Sequence, residues 1–542
     1  MLRPFAFLIA LVAFGAGCGP RAEPAEIAAQ PDIGAREIAA HVQVLAHDSM
    51  EGRGTGSRGY EKAARYVEGR FAALGLRPAG TAGYRQPVPL RLAVPTRESA
   101  LVLSRGGDSR ELVWEQDFVL IPYFLRERIE VTAPVVLVGF GVTDSSRGYD
   151  DYRNIDARGK IVVVLTGAPA SFPPTERAHH ANGRVKAANA VRHGAVGMLV
   201  VRTRDQTFPW DRLARQLRAG FMRWLDPRGE PNDAFPELHG TALLSDGAAP
   251  LLLSGATQSL AQVLDSAARG APPAFDLPLR ATIRTVNTHR RMESPNVAGM
   301  LRGSDARLRD EVVVFTAHLD HLGIGEPVNG DSIYNGALDN AAGTGALLEV
   351  ARAFGRLPRP PRRSVLFLAV TAEEMGLLGS DYFAGHPTVP IERIVANLNI
   401  DALSILYPLR ELVPLGAQHS SIDTIAARAA ATLDIALGPD PFPQEVFFVR
   451  SDQYSFVRRG VPSLFFFMGR RSDSGIDAAA RFGQWMRTRY HTPQDDLGQP
   501  MDFEAGARHA QLAFLTGLGI ANADARPVWK PGDFFGTMFG SR

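Results

Sequence analysis

Five short segments of the chain carry residues able to bind a divalent cation: AHLDH (His318, Asp320), ALDNAAG (Asp339), TAEEMG (Glu373, Glu374), NIDAL (Asp401) and YHTPQD (His491). Imidazole and carboxylate are what zinc and similar borderline ions accept. Two histidines with three or four carboxylates exceed the needs of one tetrahedral ion. A carboxylate shared between two ions absorbs that surplus, and two ions about 3.5 to 4 Å apart can activate a water and clamp a substrate oxygen together. Glu373 and Glu374 are adjacent, so one can bind metal while the other, left free, takes a proton from the water. Singly, each residue has a plainer reading: His318 ends a strand, Asp339 caps a helix, Asp401 makes a turn, and Glu373-Glu374 is a solvated first helical turn. Their joint occurrence favours the site. His321 is also near, and its ring reads as holding the loop rather than binding metal.

The surrounding pattern must bring these segments together. Residues 312–318 (VVVFTAH) form an apolar, β-branched run ending at His318, and residues two apart share a strand face, which aims His318 and Asp320 the same way. After a polar loop, Asp339-Asn340 opens an Ala/Leu-rich helix at 341–355. Further strands are expected at 364–371, 394–400, 411–416 and 462–468, and helices at 374–385, 420–433, 452–459 and 502–520. That alternation predicts an α/β domain with a mostly parallel sheet sandwiched by helices, its chemistry at the carboxyl ends of the strands. Ahead of it, residues 33–76 predict two amphipathic helices joined by EGRGTGSRG, and short alternating runs between 84 and 117 predict strands. Residues 122–277 read as an inserted β-rich unit that shapes access rather than doing chemistry. His179 and His180, adjacent within it, read as surface residues. A new strand is expected to begin near Ser294-Pro295-Asn296.

Length and composition set the frame. At 542 residues the chain exceeds what one core serves, and a net charge of +2 gives no reason to expect nucleic acid as a partner. Residues 1–17 carry an early arginine, a short apolar core and small residues before Cys18, the only cysteine. The apolar core is too short to span a membrane and fits an export signal. The Gly-Ala-Gly-Cys sequence resembles a bacterial lipoprotein signal in which Cys18 becomes a lipidated N-terminus. Residues 19–32, rich in Pro, Ala and Glu, read as a tether. These features predict an exported protein, either a periplasmic or outer-membrane lipoprotein or a secreted one. They leave its oligomeric state open, and the tail at 524–542 has no functional reading.

The five segments, in this order, resemble the M28 family of co-catalytic zinc peptidases, mostly aminopeptidases, with the insertion resembling a protease-associated (PA) domain. The resemblance implies a zinc exopeptidase fold divided as 1–18 signal, 19–32 linker, 33–121 and 278–523 peptidase domain, 122–277 insert, and 524–542 tail. It implies two Zn²⁺ per chain, one held by His318 and Asp401, the other by Glu374 and His491, with Asp339 as the bridge. Glu373 is then the general base, Asp320 orients His318, and Tyr490 hydrogen-bonds the substrate carbonyl. The Asp339–Asn340 peptide is expected to be cis. Leu338 and Gln453 depart from the family pattern, which has an acidic residue and a histidine there in many members. Peptides are the expected substrates. A carboxypeptidase using Arg450, Arg470 or Arg471, a glutaminyl-cyclase-like enzyme, or a non-catalytic binding module are the alternatives.

Overall fold

The structure is a computed structural model that describes residues 32–206, 208–472 and 475–540. The expected signal at 1–18, with Cys18, and all but the last residue of the linker lie outside the described residues. No helix among the described residues is long and apolar enough to cross a membrane.

A mixed sheet forms the centre of the peptidase domain. Four strands run parallel, in the order Ser463–Met468, Ile394–Asn399, Val312–His318 and Ser364–Val370. Antiparallel strands extend the sheet on both sides, Glu411–Leu415 beyond the first of these and Ala274–Leu301, Arg85–Pro95 and Phe221–Trp224 beyond the last. All seven residues of Val312–His318 are buried, because helices cover both faces of the sheet. Val313, Phe315 and Ala317 face the helices Ala35–Leu45, Gly343–Gly355 and Phe503–Asn522, while Val312 and Val314 pack with Phe383 and Phe456 on the other side. The carboxyl ends of the four parallel strands therefore open on one rim.

Three expectations about the insert need correction. Ala274–Leu301 is one strand of 28 residues that crosses both the expected boundary at 277 and the expected start near Ser294. Its first half pairs with Arg128–Val138 and Ala100–Arg105, and its second half with Arg85–Pro95 and Ser364–Val370, so a single strand joins the two sheets. The polar run 287–296 disguised its continuity. The insert's sheet also begins ahead of residue 122, since Ala100–Arg105 and Phe118–Ile121 pair within it. Finally, His179 and His180 are buried on the helix Pro174–Ala181. His179 Nδ1 bonds the Tyr454 hydroxyl and its ring sits among Phe534, Phe535 and Phe539, while His180 Nε2 lies 3.1 Å from Asp144 Oδ2. The described part of the tail, 524–540, is thus packed between the two units, with Phe535 fully buried and Asp533 Oδ2 2.6 Å from His419 Nδ1. No local pattern reports burial against residues so distant in sequence.

Candidate metal centre

Three of the four parallel strands deliver residues of the site. His318 is the last residue of its strand, Glu373 and Glu374 follow Ser364–Val370 by a short turn, and Asp401 follows Ile394–Asn399. The expected helix at 374–385 begins instead at Leu378, because Gly376 and Leu377 adopt φ of 106° and 62°. The glutamates therefore sit in a tight turn rather than on a helix. Asp339 lies in a single wide turn, 337–342, that opens the helix Gly343–Gly355, and the Asp339–Asn340 peptide is cis as expected. His491 follows the helix Ala478–Thr488, which the sequence reading did not anticipate.

These side chains converge with a definite polarity. Asp339 Oδ1 is 3.2 Å from His318 Nε2, which is also 3.3 Å from Asp401 Oδ1. On its other side, Asp339 Oδ2 is 3.4 Å from His491 Nε2, which is 3.0 Å from Glu374 Oε2. A tetrahedral zinc with bonds of about 2.0–2.1 Å separates its ligand atoms by about 3.3 Å, which is the spacing found in both halves. His491 Nε2 is buried and makes no hydrogen bond even with Glu374 at that distance. In the other half His318 Nε2 is within hydrogen-bonding distance of Asp401 Oδ1, so each half brings its donor atoms close enough to share one ion. The residues therefore fit two divalent ions sharing Asp339.

Without cations, so much buried charge must redistribute. Burial pushes Asp339 up, but His318 and His491 outweigh it and hold the carboxyl well below its usual range. Burial lowers His491, yet Glu374 and Asp339 raise it to about 9. Glu373 moves the other way: burial, helped by repulsion from Glu374, raises its proton affinity well above that of an ordinary glutamate.

Asp320 does not meet His318 as expected. His318 Nδ1 is 3.1 Å from the Asp320 main-chain oxygen and 4.0 Å from its carboxylate. The carboxylate instead accepts from the Glu373 N–H and the Thr55 hydroxyl, both at 3.1 Å. Asp320 thus positions the Glu373 turn through its side chain and His318 through its backbone. Tyr490 stacks on His491 with ring centres 3.7 Å apart and lines a cleft of about 1740 Å³ that also contains Glu373, Glu374 and His491. Arg450 lines the same cleft, whereas outside it the Arg471 guanidinium donates to Glu411 and the Arg470 guanidinium to the Pro441 carbonyl. The insert contributes Phe208, Arg212 and Met222 to the cleft. Leu338 is buried, and Gln453 is spent on Asn399 and the Phe448 carbonyl, so neither departure touches the converging atoms.

Several residues of the site were missed in the sequence. Arg53, in the EGRGTGSRG turn, is completely buried and donates to the carbonyls of Leu45, Leu319, Asn335 and Gly336. Asp495 accepts from the N–H groups of Leu338 and Asp339, each at 3.0 Å. Ser451 donates to Asp401 Oδ2 at 2.5 Å. Asp452 is fully buried with both carboxylate oxygens unpartnered, and burial pushes it up to about 7. The Gly-rich turn that contains Arg53 and the polar SDQ run at 451–453 were the available signals.

Comparison with known proteins gives an independent reading. Residues 296–516 match Peptidase family M28 and residues 131–227 match the PA domain. Aminopeptidase NAALADL1 of Rattus norvegicus is 28% identical over 46% of this chain and 37% of its own length. Aminopeptidase YwaD of Bacillus subtilis is 25% identical over 38% of this chain and 40% of its own. The chain thus spans well under half of these two curated relatives. A solved aminopeptidase from Aneurinibacillus sp. strain AM-1 superposes with a TM-score of 0.53 at 18% identity, covering 93% of this chain and 97% of that one, a likeness of fold.

Proposed function

The chain belongs to peptidase family M28, with a PA domain inserted ahead of its catalytic segment, and from that premise we propose that it is an exported dizinc aminopeptidase. The observation that carries this is Asp339, whose two oxygens each face a separate histidine–carboxylate pair. His318, Asp401 and Asp339 would hold one ion, and Glu374, His491 and Asp339 the other. When bound, the two ions supply Lewis acidity to the substrate carbonyl and acidify a water between them. Zinc is the ion that matches the donor set and the bond lengths implied by its spacing. Relatives described as probable zinc metalloproteases support that choice.

The chain's own residues divide the remaining work. Glu373 takes the proton of the attacking water and returns it to the leaving amine, a role that its place in the cleft beside Glu374 and His491 supports. Asp320 anchors the Glu373 N–H and so fixes the turn that carries the carboxylate. His318 turns Nε2 to the centre because Nδ1 is engaged by the Asp320 carbonyl. Tyr490, lining the cleft beside His491, donates its hydroxyl to the developing oxyanion. The substrate's free amine lies against the acidic site, and the insert narrows the approach. Export, with a lipid on Cys18, rests on residues 1–18.

Arg450 favours one competing reading, a carboxypeptidase, since it alone of the three candidate arginines lines the cleft. One peptide in three forms separates the two: both ends free, amine acetylated, or carboxyl amidated, each with and without a chelator. Mass spectrometry reads which end shortens. The aminopeptidase removes residues from the amino end, is blocked by acetylation and by the chelator, and ignores amidation. Shortening from the carboxyl end, blocked by amidation, would transfer the assignment to the carboxypeptidase.

A further inference from the structure

We infer that His321 is a positioning residue for the Glu374–His491 half of the centre, fixing Glu374 so that only its Oε2 faces the ion. This rests on the dizinc reading and adds a residue outside its five ligands.

His321 is fully buried beside the site, and its Nδ1 is 2.6 Å from Glu374 Oε1. That separation is too short for two atoms bound to one zinc, which stand about 3.3 Å apart, and it suits an N–H donating to a carboxylate. The other oxygen, Oε2, is the one facing His491 at 3.0 Å. The opposite half is built the same way: Asp401 turns Oδ1 to His318 at 3.3 Å while Oδ2 accepts from Ser451 at 2.5 Å. Each terminal carboxylate therefore has one oxygen held by a donor of the protein and one left for the ion. A carboxylate so held neither rotates nor chelates through both oxygens.

The His321 ring is itself fixed. Its main-chain N–H donates to the Arg53 carbonyl at 3.2 Å. Gly336, at φ 58°, leaves it room, since a Cβ there would stand 2.5 Å from His321 Cγ. The ring lies edge-on to His491, with centres 5.7 Å apart. Its Nε2 is buried without a hydrogen-bond partner, so the side chain's polar engagement is concentrated on Glu374. Donors of this kind change metal affinity by about 10- to 100-fold when removed.

The test is a competitive titration of zinc into metal-free protein, reading both the number of ions bound per chain and their affinities, for wild type, His321→Ala and His321→Asn. Asparagine keeps an N–H donor near the position of Nδ1. The inference expects two ions in wild type. In His321→Ala one ion is expected at unchanged affinity and the other about 10- to 100-fold weaker, with most of that loss recovered in His321→Asn. Melting curves of the metal-free proteins establish that the variants fold. Two ions at wild-type affinity in His321→Ala would overturn this inference alone. Asparagine binding as weakly as alanine would overturn the donor role. A wild-type chain that takes up a single zinc would sink the dizinc reading and this inference with it.

Discussion

Glu373→Gln is expected to retain its metal and lose about 10²- to 10⁴-fold in kcat, the range that a positioned general base contributes. The substitution preserves shape and removes only the ability to accept a proton. Glu373 makes none of the short histidine–carboxylate contacts that pair the ligands in either half, although an oxygen of it lies within 4.8 Å of ligand atoms of His318 and Glu374, so the amide is expected to leave the metal in place. Its main-chain N–H keeps its bond to Asp320 whatever the side chain, so the turn that carries Glu374 should stay in place. Steady-state kinetics beside metal analysis of the same sample checks both halves of the expectation. Near-wild-type turnover would remove Glu373 from the base's role, and coincident loss of metal and activity would make it a structural element of the centre.

Arg53→Leu is expected to destabilise the fold by about 3–5 kcal/mol and to impair metal binding. Its guanidinium donates to four main-chain oxygens, at 2.7 Å (Leu45), 2.9 Å (Leu319), 2.6 Å (Asn335) and 2.9 Å (Gly336), in a place with no exposure to solvent. A buried acceptor left without a donor costs about 1–3 kcal/mol, and some of the four would relax toward water or other donors. Three of those oxygens belong to the two loops that carry His318 and Asp320 on one side and Asp339 on the other. The same residue therefore sets stability and the spacing of the bridge. Urea unfolding with zinc titration tests it, and an unchanged midpoint with intact zinc binding would show that the loops hold their shape unaided.

What the sequence made legible follows from the range of the interactions involved. Val312–His318 and Ser463–Met468 were readable because a strand buried on both faces must be apolar throughout, and such a run is visible locally. The five ligand-bearing segments were readable because metal chemistry restricts residue types at the ends of those strands. The residues that support them were not. Arg53, Asp495 and Ser451 act mostly through partners hundreds or tens of positions away, and an arginine or serine in a loop is ordinary composition until its acceptor is known. Asp320 shows the limit of the strand argument: shared facing placed its carboxylate toward His318, but the chain leaves the strand at His318 and turns that carboxylate to Glu373 and Thr55. Ala274–Leu301 shows another limit. Its middle is polar because it bridges two sheets instead of lying in one core, and period-2 patterning registers only burial. His179 and His180 were misplaced for the same reason, their burial being owed to Tyr454 and the tail.

The centre itself is tested most directly by a crystal of zinc-loaded protein measured above and below the zinc absorption edge. Two anomalous peaks are expected about 3.5–4 Å apart, with Asp339 between them, His318 and Asp401 on one, and Glu374 and His491 on the other. A single peak, or two peaks that do not share Asp339, would contradict the account.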